Sequence, residues 1–388
     1  MDAKLFTAML CDKKFHDLNK MQYKYSCSDV AELVALLKET LFETLDIDDF
    51  HGNSLVYLKN RAQSNMRALK ILLKPQYTTD SYSINSMEDE INASLAIENI
   101  ASSRNSIRKI LNGYAPTSDS ENTIYGIKRG LDFIADTHNN ITEENLNTLY
   151  QISLGDFLED ENKILPTHYY RHDSVFVAGG KKEQQGLPHR QINAYMKKLI
   201  HFINGEDTLD DLLKAAVIHF YMGYIHPYFD GNGRTARLMH LWYLVQRGFS
   251  STLFVPFSRY INETRARYYE AFTLVEQNAQ ISGVVDVTPF LHYFTENVYS
   301  KLGGIKNEAE TIELFRQALS DGKITEKERD LWDFILSTYG TMEFSTKQLE
   351  RDFQNAAYAT IRGFVLKFES LGLLHSQKYC NMVKYRVV

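Results

Sequence analysis

The chain has 388 residues, 44% of them apolar and 24% charged, which fits two or three compact globular units and excludes a disordered or collagen-like chain. Lys and Arg total 43 against 49 Asp and Glu, a formal charge of -6, so a chain-wide electrostatic grip on nucleic acid or anionic membrane is excluded, while a local basic patch is not. Cys11, Cys27 and Cys380 are too scattered for a disulfide framework or a metal site and point to a reducing, cytoplasmic compartment. Met1-Asp2-Ala3-Lys4-Leu5 has no secretory pattern, and charged or polar residues interrupt every apolar run before it reaches membrane-spanning length.

Apolar residues recur at i, i+3 and i+4 over long stretches, so the expected fold class is all-α. The periodicity predicts helices over 31–45 and 54–73, then a break at Pro75 and the polar run 77–86. A helical run follows from Met87 towards Asn112-Gly113. Residues 114–122 read as a polar loop, and helices resume near Ile124 and Thr142. The exception is 169–178, where Tyr169, Arg171, Val175, Phe176 and Val177 predict a short β-hairpin bounded by Gly179-Gly180. Amphipathic helix is expected over 192–202. The segments 210–225 and 235–247 are apolar on most faces, as central buried helices are. Helices over 262–277 and 287–302 complete this body. Residues 303–325 have a linker-like composition with one helical stretch. After it, three helices (326–338, a Ser345-capped helix to 353, and 356–370) and a strand pair from 373 follow the order of a winged helix.

The segment that carries chemistry joins the two buried helices: His226-Pro227-Tyr228-Phe229-Asp230-Gly231-Asn232-Gly233-Arg234-Thr235-Ala236-Arg237. Gly231-Asn232-Gly233 lets the backbone turn tightly with its N–H groups aimed at one spot. The next helix starts there, so its positive dipole end faces the same spot, and a phosphate cradle results. Arg234 and Arg237 lie one turn apart and can bind phosphate oxygens. Asp230 adds a carboxylate where a Mg²⁺ bridging phosphates would sit. His226, at the end of the preceding helix, is poised as a base near neutral pH. His168 and His172 sit in predicted extended structure and so do not share a helical face for metal binding. His219 and His240, on apolar helices, are expected in the core.

The segment resembles the signature of Fic-domain proteins, H-x-F-x-[D/E]-G-N-G-R-x-x-R, at His226, Asp230, Gly231, Asn232, Gly233, Arg234 and Arg237, with Tyr228 in place of Phe. The resemblance extends over roughly 85–302. It implies a Fic-fold helical bundle with a short β-hairpin flap, and transfer of AMP from ATP to a Ser, Thr or Tyr hydroxyl of a target protein or of the chain itself. By that resemblance His226 takes the proton of the attacking hydroxyl, and Asp230 holds Mg²⁺ between the α- and β-phosphates. The N–H groups of Gly231 to Gly233, with Asn232, hold those phosphates, and Arg234 and Arg237 meet the β/γ end. Val175, Phe176, Val177 and Ala178 look like the flap along which a target segment docks. Tyr268 and Tyr269 look like the family's Tyr-Tyr helix at the nucleoside pocket, with core packing as the competing reading. An Asn that the family often places near Glu276 is here displaced to Asn278.

Fic proteins with an N-terminal inhibitory helix carry [S/T]-x-x-x-E-[G/N], which Ser94-Leu95-Ala96-Ile97-Glu98-Asn99 matches. Ser94 and Glu98 are four apart on a predicted helix, and Asn99 suits the left-handed position that ends one. A second match, 117–122, falls in a predicted polar loop. The resemblance assigns an inhibitory helix to 87–99, with Glu98 paired to Arg237 in competition with the γ-phosphate.

The expected organisation is therefore an N-terminal helical region (1–84), a Fic domain (85–302), a linker (303–325) and a winged helix (326–388). From Lys323 onward ten Lys and Arg face eight Asp and Glu. That thin surplus supports protein interaction or a homodimer at least as well as DNA binding. Alternative activities on the same site are removal of AMP or transfer of another nucleotide monophosphate, and a non-enzymatic alternative is a winged-helix transcriptional regulator. Phosphate transfer in relatives goes with Lys at the second motif Gly, and Gly233 argues against it.

Overall fold

The computed structural model describes residues 1–63, 66–73, 80–177, 184–302, 314–339, 343–379 and 382–387. Its centre is a helical hairpin, α10 (Asp211–Ile225) and α11 (Asn232–Gln246), whose residues are buried on nearly every face. Both helices are apolar around most of their circumference, so they are stable only inside a shell of other helices. That shell is α5 (Asp80–Ile97), α6 (Arg104–Leu111), α7 (Asp119–Ala135), α8 (Glu143–Ser153), α9 (His189–Asn204), α12 (Phe257–Glu263), α13 (Arg265–Ser282) and α14 (Thr288–Tyr293). One continuous apolar core, from Leu45 to Leu302, fills the interior. The molecule is mostly helical with a few short strands, as the periodicity predicts.

The N-terminal part departs from expectation. Ahead of it lie α1 (Ala3–Leu10) and α2 (Leu18–Lys24). The segment read as helix 31–45 is α3 (Cys27–Thr40) followed by β1 (Phe42–Asp48). The segment read as helix 54–73 is β2 (Ser54–Leu58) followed by α4 (Met66–Leu72). β1 and β2 pair antiparallel, with Phe42 opposite Leu58. The physical reason is an alternation of period two, with Leu45 and Ile47 buried and Thr44 and Asp46 exposed. The main body also holds the hairpin in place. The Val56 N–H donates to Val285 O at 3.0 Å and the Tyr221 hydroxyl to Asp48 O at 2.6 Å.

Two further boundaries differ. The helical run from Met87 divides into α5 and α6, because Asn99 adopts φ 58° and turns the chain. The flap hairpin pairs β3 (Phe176–Val177) with β4 (Gln184–Gln185), so Gly179-Gly180 falls between its strands rather than at its end. Ala178 and the rest of 178–183 lie outside the described residues. The polar stretch 114–122 already contains the start of α7, capped by Ser118.

The C-terminal part has its own core, built from Leu331, Ile335, Leu349, Ile361, Phe364, Phe368 and neighbours. Helices Glu326–Thr338, Thr346–Phe353 and Tyr358–Ser370 precede an antiparallel pair, Leu374–Tyr379 and Met382–Val387. Helix Glu326–Thr338 lies against α5.

Candidate active site

α10 ends where His226 turns left-handed at φ 54°, and α11 begins after Gly231 at φ 79°. A Cβ on Gly231 would also meet Leu154 Cδ1 at 2.8 Å, so this turn accepts only glycine. Asn232 braces the loop from within: its Oδ1 accepts the Tyr228 N–H at 2.9 Å, and its Nδ2 donates to Tyr228 O at 2.8 Å. The Asn232 side chain thus shapes the loop, leaving the loop N–H groups and the end of α11 as the anion-binding elements. Tyr228 stacks on Tyr150 at 3.7 Å and keeps the aromatic anchor, but its buried hydroxyl has no partner among the described residues. Arg171, buried beneath the loop, donates from Nε to His226 O at 2.9 Å, from Nη1 to Asp173 O at 2.7 Å, and from Nη2 to Leu187 O. It thereby ties the catalytic loop to the base of the flap.

Burial lowers the His226 pKa, and Arg171 adds to this against partial opposition from the Gly223 backbone and Asp230. The imidazole is therefore kept in its neutral, proton-accepting form. Asp230 stays half exposed; its Oδ1 accepts the Gly231 N–H at 2.6 Å and its Oδ2 the Arg234 Nη2–H at 3.1 Å.

Arg234 and Arg237 are almost fully buried at the start of α11. Glu98 bridges both. Its Oε2 accepts from Arg234 Nε at 2.8 Å, and its Oε1 from Arg237 Nη2 at 2.7 Å. Ser94 joins in: its Oγ accepts from Arg237 Nε at 2.9 Å and its carbonyl from Nη2 at 3.0 Å. Burial alone would lower Arg237, but Glu98, Tyr268 and Glu90 offset it and hold the guanidinium above its usual value. Glu98 can approach because residue 233 is glycine, since a Cβ there would lie 2.6 Å from Glu98 Oε1. At the end of α5, Asn99 Oδ1 accepts from Arg265 Nη1 at 2.7 Å.

α5 is itself fastened. Glu90 accepts the Ser258 N–H at 2.8 Å and the Ser258 hydroxyl. Glu88 pairs with Arg104 and Arg108, and Asp89 with Arg104 and Arg259. The Ser86 hydroxyl donates to Phe254 O. The alternative match at 117–122 serves a local purpose, since Glu121 accepts from the Thr117 N–H and from Lys109 at the start of α7.

Residues 134–244, which contain this loop, match the model of the Fic/DOC family. That match spans less than a third of the chain. Protein adenylyltransferase fic-1 of Caenorhabditis elegans is 26% identical over 195 residues, which cover 48% of this chain and 35% of the relative. Protein adenylyltransferase Fic of Drosophila virilis is 26% identical over 186 residues, 46% of this chain and 33% of the relative. The chain thus aligns with about a third of the length of these curated relatives. Among solved structures, a Fic family protein from Desulfovibrio desulfuricans G20 superposes with a TM-score of 0.51 at 16% identity, covering 84% of this chain and 97% of that one. Fic-1 from C. elegans superposes with a TM-score of 0.52 at 19% identity, covering 79% and 84%. These two likenesses establish the fold.

Around this loop, the expected site residues divide. His226, Asp230, Gly231, Asn232, Gly233, Arg234, Arg237, Ser94 and Glu98 converge on one spot. Val175 is half-buried beside Gly186, and Phe176 and Val177 form the first flap strand. Tyr268 is core, with its hydroxyl 2.9 Å from His219 Nε2, whereas Tyr269 is exposed with its hydroxyl directed at Ile97 O. Asn278 is occupied by the N-terminal region, accepting the Leu18 N–H and donating to His16 O. His219 and His240 are in the core as expected. Sequence reasoning missed the pairing of Glu98 with Arg234, although Arg234 and Arg237 are one turn apart and a single carboxylate can span them. It placed Arg171 in the flap hairpin but missed its bond to the catalytic loop. Among the described residues no group of three or more His, Cys, Asp or Glu could hold a metal ion, and no helix is long and apolar enough to cross a membrane.

Proposed function

We propose that this chain is a protein adenylyltransferase that moves AMP from ATP to a hydroxyl of a target protein, and that Glu98 restrains it. The observation that carries this reading is the convergence, within one loop, of a neutral buried imidazole, a glycine-built anion cradle and two buried arginines whose counter-charge comes from a separate helix. The names of the relatives support the choice of nucleotide and of reaction.

In this reading the target hydroxyl attacks the α-phosphorus while His226 accepts its proton. The bond from the α-phosphorus to the α,β-bridging oxygen breaks, and pyrophosphate leaves. Gly231 to Gly233 and the N-terminus of α11 hold the transferring phosphates. Arg234 and Arg237 neutralise charge on the departing pyrophosphate. Asp230 fits a Mg²⁺ site in chemistry, as a half-exposed hard oxygen donor beside the cradle, with phosphates and water completing the shell. A bound Mg²⁺ would add charge neutralisation between the phosphates.

Glu98 holds both guanidinium groups that the β- and γ-phosphates require. ATP can still enter, but its phosphates are displaced from in-line geometry, and a shift of about 1 Å is worth roughly 10²-fold in rate. The test uses the Glu98→Gly protein with ATP labelled at either the α- or the γ-phosphate. Protein-bound label from the α position alone, with pyrophosphate released, supports AMP transfer; label from the γ position would overturn it.

A further inference from the structure

A basin of about 610 Å³ lies between the base of the flap and the start of α9, and Glu98 is not among its lining residues. Its wall touches the loop directly: the Arg171 N–H donates to Pro227 O at 2.9 Å, and the His172 ring meets Phe229 edge-on at 5.0 Å. We propose that this basin binds a carboxylate side chain of the target protein, so that acidic residues beside the acceptor hydroxyl select the substrate. The proposal rests on the adenylyltransferase reading and names the target chemistry.

Four observations agree. First, the lining carries more cations than carboxylates: Arg190 and Lys197, with Arg171 behind them, against the one carboxylate Glu143. Second, the two permanent cations are uncommitted. The adjacent Lys198 pairs with Asp48, whereas Arg190 and Lys197 are exposed and have no ion pair among the described residues. Third, α9 opens onto the basin through His189, Arg190 and Asn193, with Pro188 as its cap, no side chain bonded to its first N–H groups and no acid in its first turn. Such a helix end attracts an anion. Fourth, the wall contains a buried polar atom without a partner. The Nδ1 of His172 makes no hydrogen bond among the described residues, whereas the buried Tyr170 hydroxyl lies against the Glu143 carboxylate. Arg171, by contrast, has its guanidinium held by three backbone carbonyls and is structural. An extended target segment running beside β3 would bring its neighbouring residues over this basin.

The experiment measures binding, without ATP, of fluorescent short peptides to the full chain. One peptide has a central Thr flanked by Glu; matched peptides carry Gln or Lys instead, and oligothymidine serves as a competing polyanion. The Glu peptide should bind about ten-fold more tightly than the Gln peptide at low salt. Arg190→Glu with Lys197→Glu should abolish that preference and turn it towards the Lys peptide, a reversal that misfolding would not produce. Equal binding of the Glu and Gln peptides, an unchanged preference after charge reversal, or stronger binding of oligothymidine would overturn the proposal. Labelled AMP transfer by the Glu98→Gly protein is followed on the same peptides. Transfer without peptide preference removes the docking site and keeps the transferase, while peptide preference without any transfer does the reverse.

Discussion

The two sides of the catalytic loop are built alike and left in opposite states. On the donor side, Arg234 and Arg237 are buried and both are held by Glu98. On the acceptor side, Arg190 and Lys197 are exposed and have no ion pair among the described residues. Both sides place a helix N-terminus beside cations and a carboxylate, but Glu98 is ion-paired to its arginines, whereas Glu143 is paired with neither Arg190 nor Lys197 among the described residues. The difference teaches where control is exerted. On the proposed reading ATP enters with Glu98 still holding both guanidinium groups, so control falls on the alignment of its phosphates rather than on entry. The basin by the flap has no such pairing.

The largest effect that would break this comparison is at the centre. In a Glu98→Gly background, His226→Ala should lower AMP transfer by about 10²–10⁴-fold while nucleotide binding persists. Loss of binding together with transfer would show that His226 shapes the cradle rather than moving a proton. A second prediction sharpens the donor side. Ser258→Ala leaves the buried Glu90 carboxylate with fewer donors, which destabilises the seating of α5 by roughly 1–3 kcal/mol. AMP transfer should rise several-fold, less than in Glu98→Gly, when initial rates are compared; no rise would mean that the Glu90–Ser258 contact does not contribute to the restraint.

A third concerns pH. A base must be deprotonated, and burial lowers His226 below the ordinary imidazole value of about 6.5. The rate should therefore stay flat from neutral pH down to below 6.5 and fall only as pH drops through the lowered pKa. A rate profile with its acid limb at or above 6.5 contradicts the assignment. The smallest effect is Tyr228→Phe. Removing a buried hydroxyl without a partner should leave AMP transfer unchanged and shift unfolding by no more than about 1 kcal/mol, in the stabilising direction. Clear destabilisation in a denaturant melt would show that the hydroxyl is bonded.

What could be read from the sequence was local. The turn from α10 to α11 carries its own chemistry within twelve consecutive positions, so cradle, base and arginines were visible together. Ser94, Glu98 and Asn99 were visible because four-residue spacing on a helix and a left-handed terminus leave a pattern. The β1–β2 hairpin was not, because the alternation from Thr44 to Ile47 is short and adjoins helical periodicity, so it reads as a continuation of helix until α9 and α14 pack against the two strands. The flap was displaced for a similar reason: Gly179-Gly180 marks a break in either role, and only strand pairing distinguishes the middle of a hairpin from its end. The acceptor basin had no sequence signature, since it draws Glu143, Tyr170, His172, Arg190 and Lys197 from three separate segments. The tail was readable as three helices and a hairpin, but its third helix offers little charge. Lys367 is bound by both carboxylate oxygens of Glu328, which leaves Arg362 as the other cation of that helix.

The central claim is that one carboxylate, reaching across from α5, keeps the donor side closed. Its most direct measurement is the initial rate of labelled AMP incorporation from ATP by the wild-type, Glu98→Gln and Glu98→Gly proteins at equal concentration. The account predicts a rise of about 10²-fold in Glu98→Gly, with Glu98→Gln between it and the wild type, because the amide keeps the shape and loses the charge. Equal rates in all three proteins would contradict it.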